Sequence, residues 1–215
     1  MARPRSGPLL TRDRIVRAAL DLVDRGGLDG LSMRKLATAL KVDPMAIYHH
    51  IPNKDALIRA LVEAVFSEMP APSARGDWKR RVRAWAEGYR SVVAAHPNLV
   101  LRIVSDPAAV AVAAVRANEA LYAALDASGL PPRAVVGAAD LIVDYVNGYC
   151  LSMAAPVTAG VDAAEAWEAE LSSRPAETTA AQRRVFALAS GERDSFRFGL
   201  DVIMSGLEST TRARR

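Results

Sequence analysis

An all-α chain is predicted, with three short helices at the N-terminus, a fourth leading out of them and a larger helical part behind. Apolar residues recur at intervals of three and four rather than two. Alanine is abundant, while aromatics make up only 6% of the 215 residues, so strand signals are scarce. Each break in the apolar period carries its own Pro or Gly. With 51% hydrophobic and 24% charged residues the chain can bury a core, and its length suits one large domain or two small ones.

The elements follow in order. After a polar, Pro-containing tail (residues 1–10), Thr11 is the expected N-cap of a helix whose inner face is Ile15, Ala18, Ala19, Leu22 and Val23. Gly26 and Gly27 stop it. Ser32 caps a short second helix with Met33, Leu36, Ala37 and Leu40 inside and Arg34 and Lys35 outside. Asp43 followed by Pro44 is an N-cap with proline at the first helical position. The third helix that they open reaches only to about His50, because Pro52 disfavours helical geometry at Ile51. Asn53 caps the fourth helix, which carries Leu57, Leu61, Val65 and Met69 on its buried side.

The segment from Met69 to Gly76, with two prolines, is the clearest boundary. Beyond it helices are expected over Trp78–Ala95, Pro97–Ser105, Pro107–Ala127 and Pro132–Ala155, broken at His96-Pro97, Asp106-Pro107, Gly129 with Pro131-Pro132, and Pro156. Val157–Ala181, rich in Ala, Glu, Ser and Thr, reads as a loop with a short helix near Trp167. A last helix or pair covers Arg183–Leu207.

Composition excludes several functions. Cys150 is the only cysteine, so neither an intrachain disulfide nor a multi-cysteine metal centre can form. His49 and His50 are adjacent on a helix and point about 100° apart, which does not chelate one ion. No HExxH, GxSxG, GxxxxGK[ST] or GxGxxG pattern occurs. No metal, cofactor or catalytic constellation is expected. The longest uncharged, mainly apolar stretch, Tyr145–Val161, contains Asn147, Gly148 and Pro156 and is shorter than the roughly 20 residues of a spanning helix. Residues 1–14 lack the apolar run of a signal peptide. No membrane association and a cytoplasmic location are expected.

Charge is informative only when divided along the chain. Residues 1–54 hold ten Lys/Arg against five Asp/Glu, and the remainder holds 18 against 19. The positive excess therefore sits entirely in the N-terminal quarter, where an anionic polymer would be met; charge alone fits a solvated basic tail as well. A helix, a tight turn and a second short helix amid that charge form a helix-turn-helix pattern, whose second helix fits the major groove.

The wording of Leu40-Lys-Val-Asp-Pro-Met-Ala-Ile-Tyr-His-His-Ile-Pro-Asn-Lys-Asp-Ala-Leu57, preceded by Leu31-Ser-Met-Arg-Lys-Leu-Ala37, resembles the tetracycline-repressor (TetR) family of bacterial transcription regulators over nearly all of residues 11–66. The resemblance implies a DNA-binding domain at 11–54, a connecting helix and linker at 55–76, and a ligand-binding and dimerisation domain at 77–215. It places Pro44, Met45 and Ala46 at the groove-facing start of the recognition helix. Tyr48, His49 and His50 then lie at sugar-phosphate or base edges, and Lys54 at a phosphate. A Lys at a helix N-terminus adds its charge to exposed N–H donors, which suits phosphate oxygen. Ser32 and Arg34 are further phosphate candidates. Met45 and Ala46 offer no bidentate hydrogen bonds and suit thymine methyls; core packing of Tyr48 is the competing reading.

The larger part looks like the ligand-binding and dimerisation domain of the tetracycline-repressor subgroup. Where that subgroup places a metal-coordinating histidine, this chain has Arg102, so a metal-free effector is expected. Trp85, Tyr89, Arg102, Tyr122, Tyr145 and Tyr149 are the candidate lining of its pocket, with ordinary core packing as the alternative for each aromatic. Val157–Ala181 is a candidate cover for the pocket's mouth. Val135, Ala139, Ile142 and Val146 form one apolar stripe, with Val136, Val143 and Cys150 beside it. Phe196, Leu200, Ile203 and Leu207 form another, with Gly199 and Gly206 permitting close helix approach. The resemblance assigns Val135, Ala139, Ile142, Val146, Phe196, Leu200, Ile203 and Leu207 to a four-helix homodimer interface; a wholly intrachain core is the competing reading. Cys150 reads as a small core residue.

The combined expectation is an all-α, homodimeric, ligand-responsive regulator, a repressor released from a palindromic double-stranded operator by a small molecule. The competing classes are an enzyme carrying a helix-turn-helix, for which His96 is the only histidine beyond residue 76, and a helical interaction module.

Overall fold

The computed structural model describes residues 9–70, 76–105, 107–159, 173 and 195–212, and among these the ordered elements are α-helices. The chain divides into two compact units. The first comprises the residues through Met69 together with Asn98–Ala117; the second comprises Pro70–Pro97 and Asn118 onward.

In the first unit α1 (Arg12–Gly26) starts where the Thr11 hydroxyl accepts the Arg14 N–H at 3.2 Å, and ends where Gly27, at φ 71°, turns its N–H back to Val23 O. α2 (Met33–Leu40) is capped by the Ser32 hydroxyl, which accepts from Lys35 N. α3 (Pro44–Tyr48) is capped by the Asp43 carboxylate, which accepts from Met45 N at 2.8 Å. α4 (Lys54–Ser67) is capped by Asn53 Oδ1, which accepts from Ala56 N. All four predicted caps therefore do the predicted work. The third helix ends at Tyr48, two residues earlier than expected. α1 packs on α2 and α4, and α2 on α3. Ile15, Val23, Leu36, Ile47, Leu57, Leu61 and Val65 are fully enclosed. Leu31 and Ile51, both outside the helices, are also buried and close the core at its loops.

The turn between α2 and α3 depends on Lys41, which adopts φ 56° and ψ 43° and sends its N–H to Ala37 O and Thr38 O. Among the described residues it alone has a positive φ without being glycine. A side chain there costs about 1–2 kcal/mol relative to right-handed geometry. The unit also takes in α6 (Pro97–Ser105) from Asn98 onward and α7 (Pro107–Asp126) as far as Ala117.

The second unit holds α5 (Trp78–Ala95), the rest of α7, α8 (Pro132–Ala159) and a last helix, α9 (Ser195–Arg212), with α5, α8 and α9 packed on one another. α8 runs four residues past its expected end at Ala155. Pro156 thus sits in its last turn, where it supplies no N–H to the carbonyl four residues back. The segment Pro132–Met153 has a mean hydropathy of 1.3, enough by length and composition to cross a bilayer. In this unit its stripe of Val135, Ala139, Ile142 and Val146 is buried. Residues 160–172 and 174–181, the proposed cover, and 183–194 of the expected final helix lie outside the described residues.

Of the eight side chains assigned to a dimer interface, Val135, Ala139, Ile142, Val146, Phe196 and Leu200 are buried within the single chain. Only Ile203 and Leu207 stay half-exposed. The reason lies at Gly199: a Cβ built there would fall 2.6 Å from Tyr145 Cζ. α9 therefore comes close enough to α8 that each helix turns its stripe toward the other. Tyr145 donates its hydroxyl proton toward Phe196 O at 3.0 Å and Ser195 O at 3.1 Å, and its ring stacks on Phe196 at 5.8 Å.

Candidate nucleic-acid interface and small-molecule cavity

The interface candidate is built by one buried residue. Ile47 is wholly enclosed, which anchors the inner side of α3 and turns its other face outward. Met45 is 61% and Tyr48 40% exposed, and Pro44, His49 and His50 are exposed as well, with Ala46 half-buried. Tyr48 is thus a surface residue rather than a core one. Arg34 projects from α2 into solvent, and Ser32 is half-buried with its hydroxyl oxygen accepting as a cap, which leaves the hydroxyl proton to donate. Lys54 stands at the first position of α4, exposed, with its Nζ reaching Leu28 O at 3.4 Å. That long bond holds the ammonium lightly and leaves donors for an anion. Apolar Met45 amid cationic and aromatic neighbours is the chemistry of a groove reader, with charge for phosphate and carbon for base edges.

The second unit holds a cavity of about 160 Å³ lined by Arg90, Val93, Ala94 and Pro97 on one side and Tyr149, Cys150 and Met153 on the other. Of the six residues expected to line a pocket, Tyr149 alone is in this wall. Trp85 is wholly buried and packs on Tyr89 at a ring separation of 5.3 Å. Tyr89 donates its hydroxyl to Asn147 Oδ1 at 2.6 Å, and burial pushes its phenol well up from the ordinary value. Tyr145 is committed to the α8–α9 crossing, Tyr122 is at the surface, and Arg102 is half-buried in the first unit.

The residues that sequence reasoning missed do carry a signal. Arg90, Val93, Ala94 and Pro97 fall at i, i+3, i+4 and i+7, a helical face that is apolar but for one cation. That cation is tied to Glu87 through Nη2 at 2.8 Å and lies 4.9 Å over the Phe196 ring, and Glu87 also receives Arg197 Nε at 3.1 Å. Burial pushes the Cys150 thiol up to about 11, with Arg90 pulling it part of the way back. Neutral at ordinary pH, it behaves as part of an apolar wall.

A basic helix-turn-helix unit joined to a helical unit with an apolar cavity defines a transcription regulator of the one-component kind, reader and sensor in a single chain. The chain belongs to the tetR family of bacterial regulatory proteins: the family model for its N-terminal domain matches residues 15–61, and that for the tetracyclin repressor-like C-terminal domain matches residues 69–211. It is 31% identical to the HTH-type transcriptional repressor DrrR1 of Streptomyces coeruleorubidus, over 99% of this chain and 83% of that protein. It is 37% identical to an HTH-type transcriptional regulator of Saccharopolyspora erythraea, a match that covers 67% of this chain and 61% of that protein. Among solved structures, apo ActR from Streptomyces coelicolor superposes with a TM-score of 0.80 at 26% identity, covering 98% of this chain and all of that one. The ActR complex with actinorhodin superposes at 0.75 and 29% identity, covering 94% and 96%. The family models thus match both parts of the chain in which the sequence resembles the family.

Proposed function

We propose that the chain is a homodimeric, cytoplasmic repressor that holds a palindromic operator through α3 and lets it go when a small molecule fills the cavity of the second unit, without catalysing a reaction. The observation that carries this reading is the outward face of α3. Met45 and Tyr48, large and exposed, stand beside His49 and His50 in the part of the chain that holds all its excess positive charge. Ser32, Arg34 and Lys54 supply phosphate contacts, and Pro44, Met45, Ala46, Tyr48, His49 and His50 read the groove. Residues 11–54 form the reader, 55–76 the connection and 77–215 the sensor and dimer domain.

The effector in this reading is metal-free and mainly apolar, since the side chains of the cavity wall are carbon and sulfur apart from Arg90 and the tip of Tyr149. That the related ActR is known in complex with actinorhodin supports a small-molecule effector. The dimer contact passes to the faces that α8 and α9 leave outside. On α9, Phe198 (73% exposed) and Val202 (56%) continue through Gly206, whose Cα faces open space, at i, i+4 and i+8. Among the described residues of α8, Val136, Leu141 and the cavity residue Met153 are the large exposed apolar side chains.

Selection of duplexes from a random DNA pool tests the reading. The expected product is an inverted repeat with half-sites about one helical turn, roughly 34–36 Å, or slightly more apart. Recovery of no preferred sequence, or equal recovery by a chain lacking residues 1–54, would refute it.

A further inference from the structure

The cavity and the reader unit meet in sequence at a single peptide bond. Pro97 lines the cavity and closes the second unit's segment. Asn98 opens the first unit's segment. Its side-chain amide donates to Val23 O at 3.0 Å and Asp24 O at 3.1 Å, 75 and 74 residues away along the chain. These two carbonyls belong to the last turn of α1 (Arg12–Gly26), where a helix runs out of internal donors. Val23 O already takes the capping N–H of Gly27 at 2.8 Å, so Asn98 occupies the second lone pair of the carbonyl that ends α1.

Two properties make this contact a sensitive one. Pro97 and Asn98 are consecutive residues of α6, so a displacement of Pro97 is passed to Asn98 through one helical peptide unit. The asparagine side chain is short, and bonds of 3.0 and 3.1 Å pass out of hydrogen-bonding range with a shift of about half an ångström. Beyond the contact, α1 packs directly on α2 and α4, and α2 on α3. The end of α1 is therefore two packing steps from the face with Met45 and Tyr48.

We propose that Asn98 is the coupling residue of this regulator. A ligand against Pro97 draws the Asn98 amide off Val23 and Asp24, and α1, losing that clamp, no longer holds α2 and α3 in the DNA-reading arrangement. The proposal rests on the reading of the cavity as the effector site and adds to it the residue that reports occupancy to the reader. Asn98 is a positioning residue and touches neither DNA nor effector.

The test fills the cavity by mutation, so no effector need be known. Cys150→Phe and, separately, Met153→Trp place an added ring in the cavity. Each is made in the Asn98 background and with Asn98→Ala or Asn98→Asp, the latter keeping the side chain's shape but removing its donor. Circular dichroism confirms folding, and the readouts are affinity for the best duplex selected by the wild-type protein and amide exchange at Gly27. With Asn98 present, filling should lower affinity about 5- to 150-fold and speed exchange at Gly27. With Asn98→Ala or Asn98→Asp, affinity should start low and filling should lower it less than twofold further. Full additivity of filling and Asn98 substitution would overturn the proposal while leaving the effector site in place. Filling that changes neither readout in either background would overturn both. Should one filler fail to fold, the other decides by the same criteria.

Discussion

Gly199→Ala, a change that usually strengthens a helix, should weaken this protein. The added methyl would lie 2.6 Å from Tyr145 Cζ and 2.8 Å from Cε2, distances at which the ring has to move. Tyr145 cannot move freely, because its hydroxyl is bonded to Phe196 O and Ser195 O and its ring stacks on Phe196. The hydroxyl proton shared between the two carbonyls contributes about 1 kcal/mol, the ring pair about 0.5–1.5 kcal/mol, and forcing a methyl into a packed crossing costs about 1–3 kcal/mol. Against these stands a helix-propensity gain of about 1 kcal/mol for Ala over Gly. The net expectation is a loss of about 1.5–4.5 kcal/mol. Urea unfolding at one fixed protein concentration reads it, since a dimer's stability depends on concentration. Tyr145→Phe in the same background should restore part of the loss by removing the atom nearest the methyl, so the two substitutions should not be additive. A Gly199→Ala protein as stable as wild type, or strict additivity with Tyr145→Phe, would refute the account of how α8 meets α9.

Four further outcomes follow from the geometry. Lys54→Ala should lower affinity for every duplex tested and flatten the salt dependence by about one unit per half-site, with little effect on urea unfolding because its bond to Leu28 O is long and exposed. Lys41→Gly should raise stability by about 1 kcal/mol in urea unfolding, since φ 56° strains any side chain at that turn. Val202→Asp should leave a folded monomer in sedimentation, whereas Ile142→Asp, at a wholly buried position, should abolish cooperative folding. The Cys150 thiol, raised from 9.0 to about 11 by burial, keeps its proton in the folded chain where the unfolded chain loses it. Stability should therefore be unaffected by this group below pH 9 and fall as the pH climbs from 9 toward 11, and the difference from Cys150→Ala should isolate it.

The reader half was legible almost residue by residue because its signals are local. Thr11, Ser32, Asp43 and Asn53 each satisfy an N–H two or three residues downstream, and such a bond depends on nothing elsewhere in the chain. The surface of α3 followed in turn, since a five-residue helix with one strongly apolar anchor, Ile47, has only one way to face. Lys41 was not legible as a strained position: a turn that short demands left-handed geometry from some residue, and nothing in a lysine announces it.

The sensor half was legible as helices but not as faces. α8 carries two apolar stripes, and a 3.6-residue period says that both exist without saying which one meets the chain's own core. The same ambiguity holds on α9, where Phe196 with Leu200 and Phe198 with Val202 are equally good i, i+4 pairs; the structure buries the first and exposes the second. What breaks the tie is a pairwise fact, the fit of Tyr145 over Gly199, which relates residues more than fifty positions apart. The cavity fails to show for a related reason. Aromatic residues drew attention because they are large and amphipathic, yet Trp85 and Tyr89 serve the core, and the wall facing Tyr149, Cys150 and Met153 is made by Val93, Ala94 and Pro97, small residues whose contribution is the space they leave beside Arg90. Side chains that fill volume leave a periodic trace in sequence, whereas a void is set by what several helices jointly fail to fill. A regulator's reader is thus encoded mostly by what its residues are, and its sensor by how helices distant in sequence come to cross.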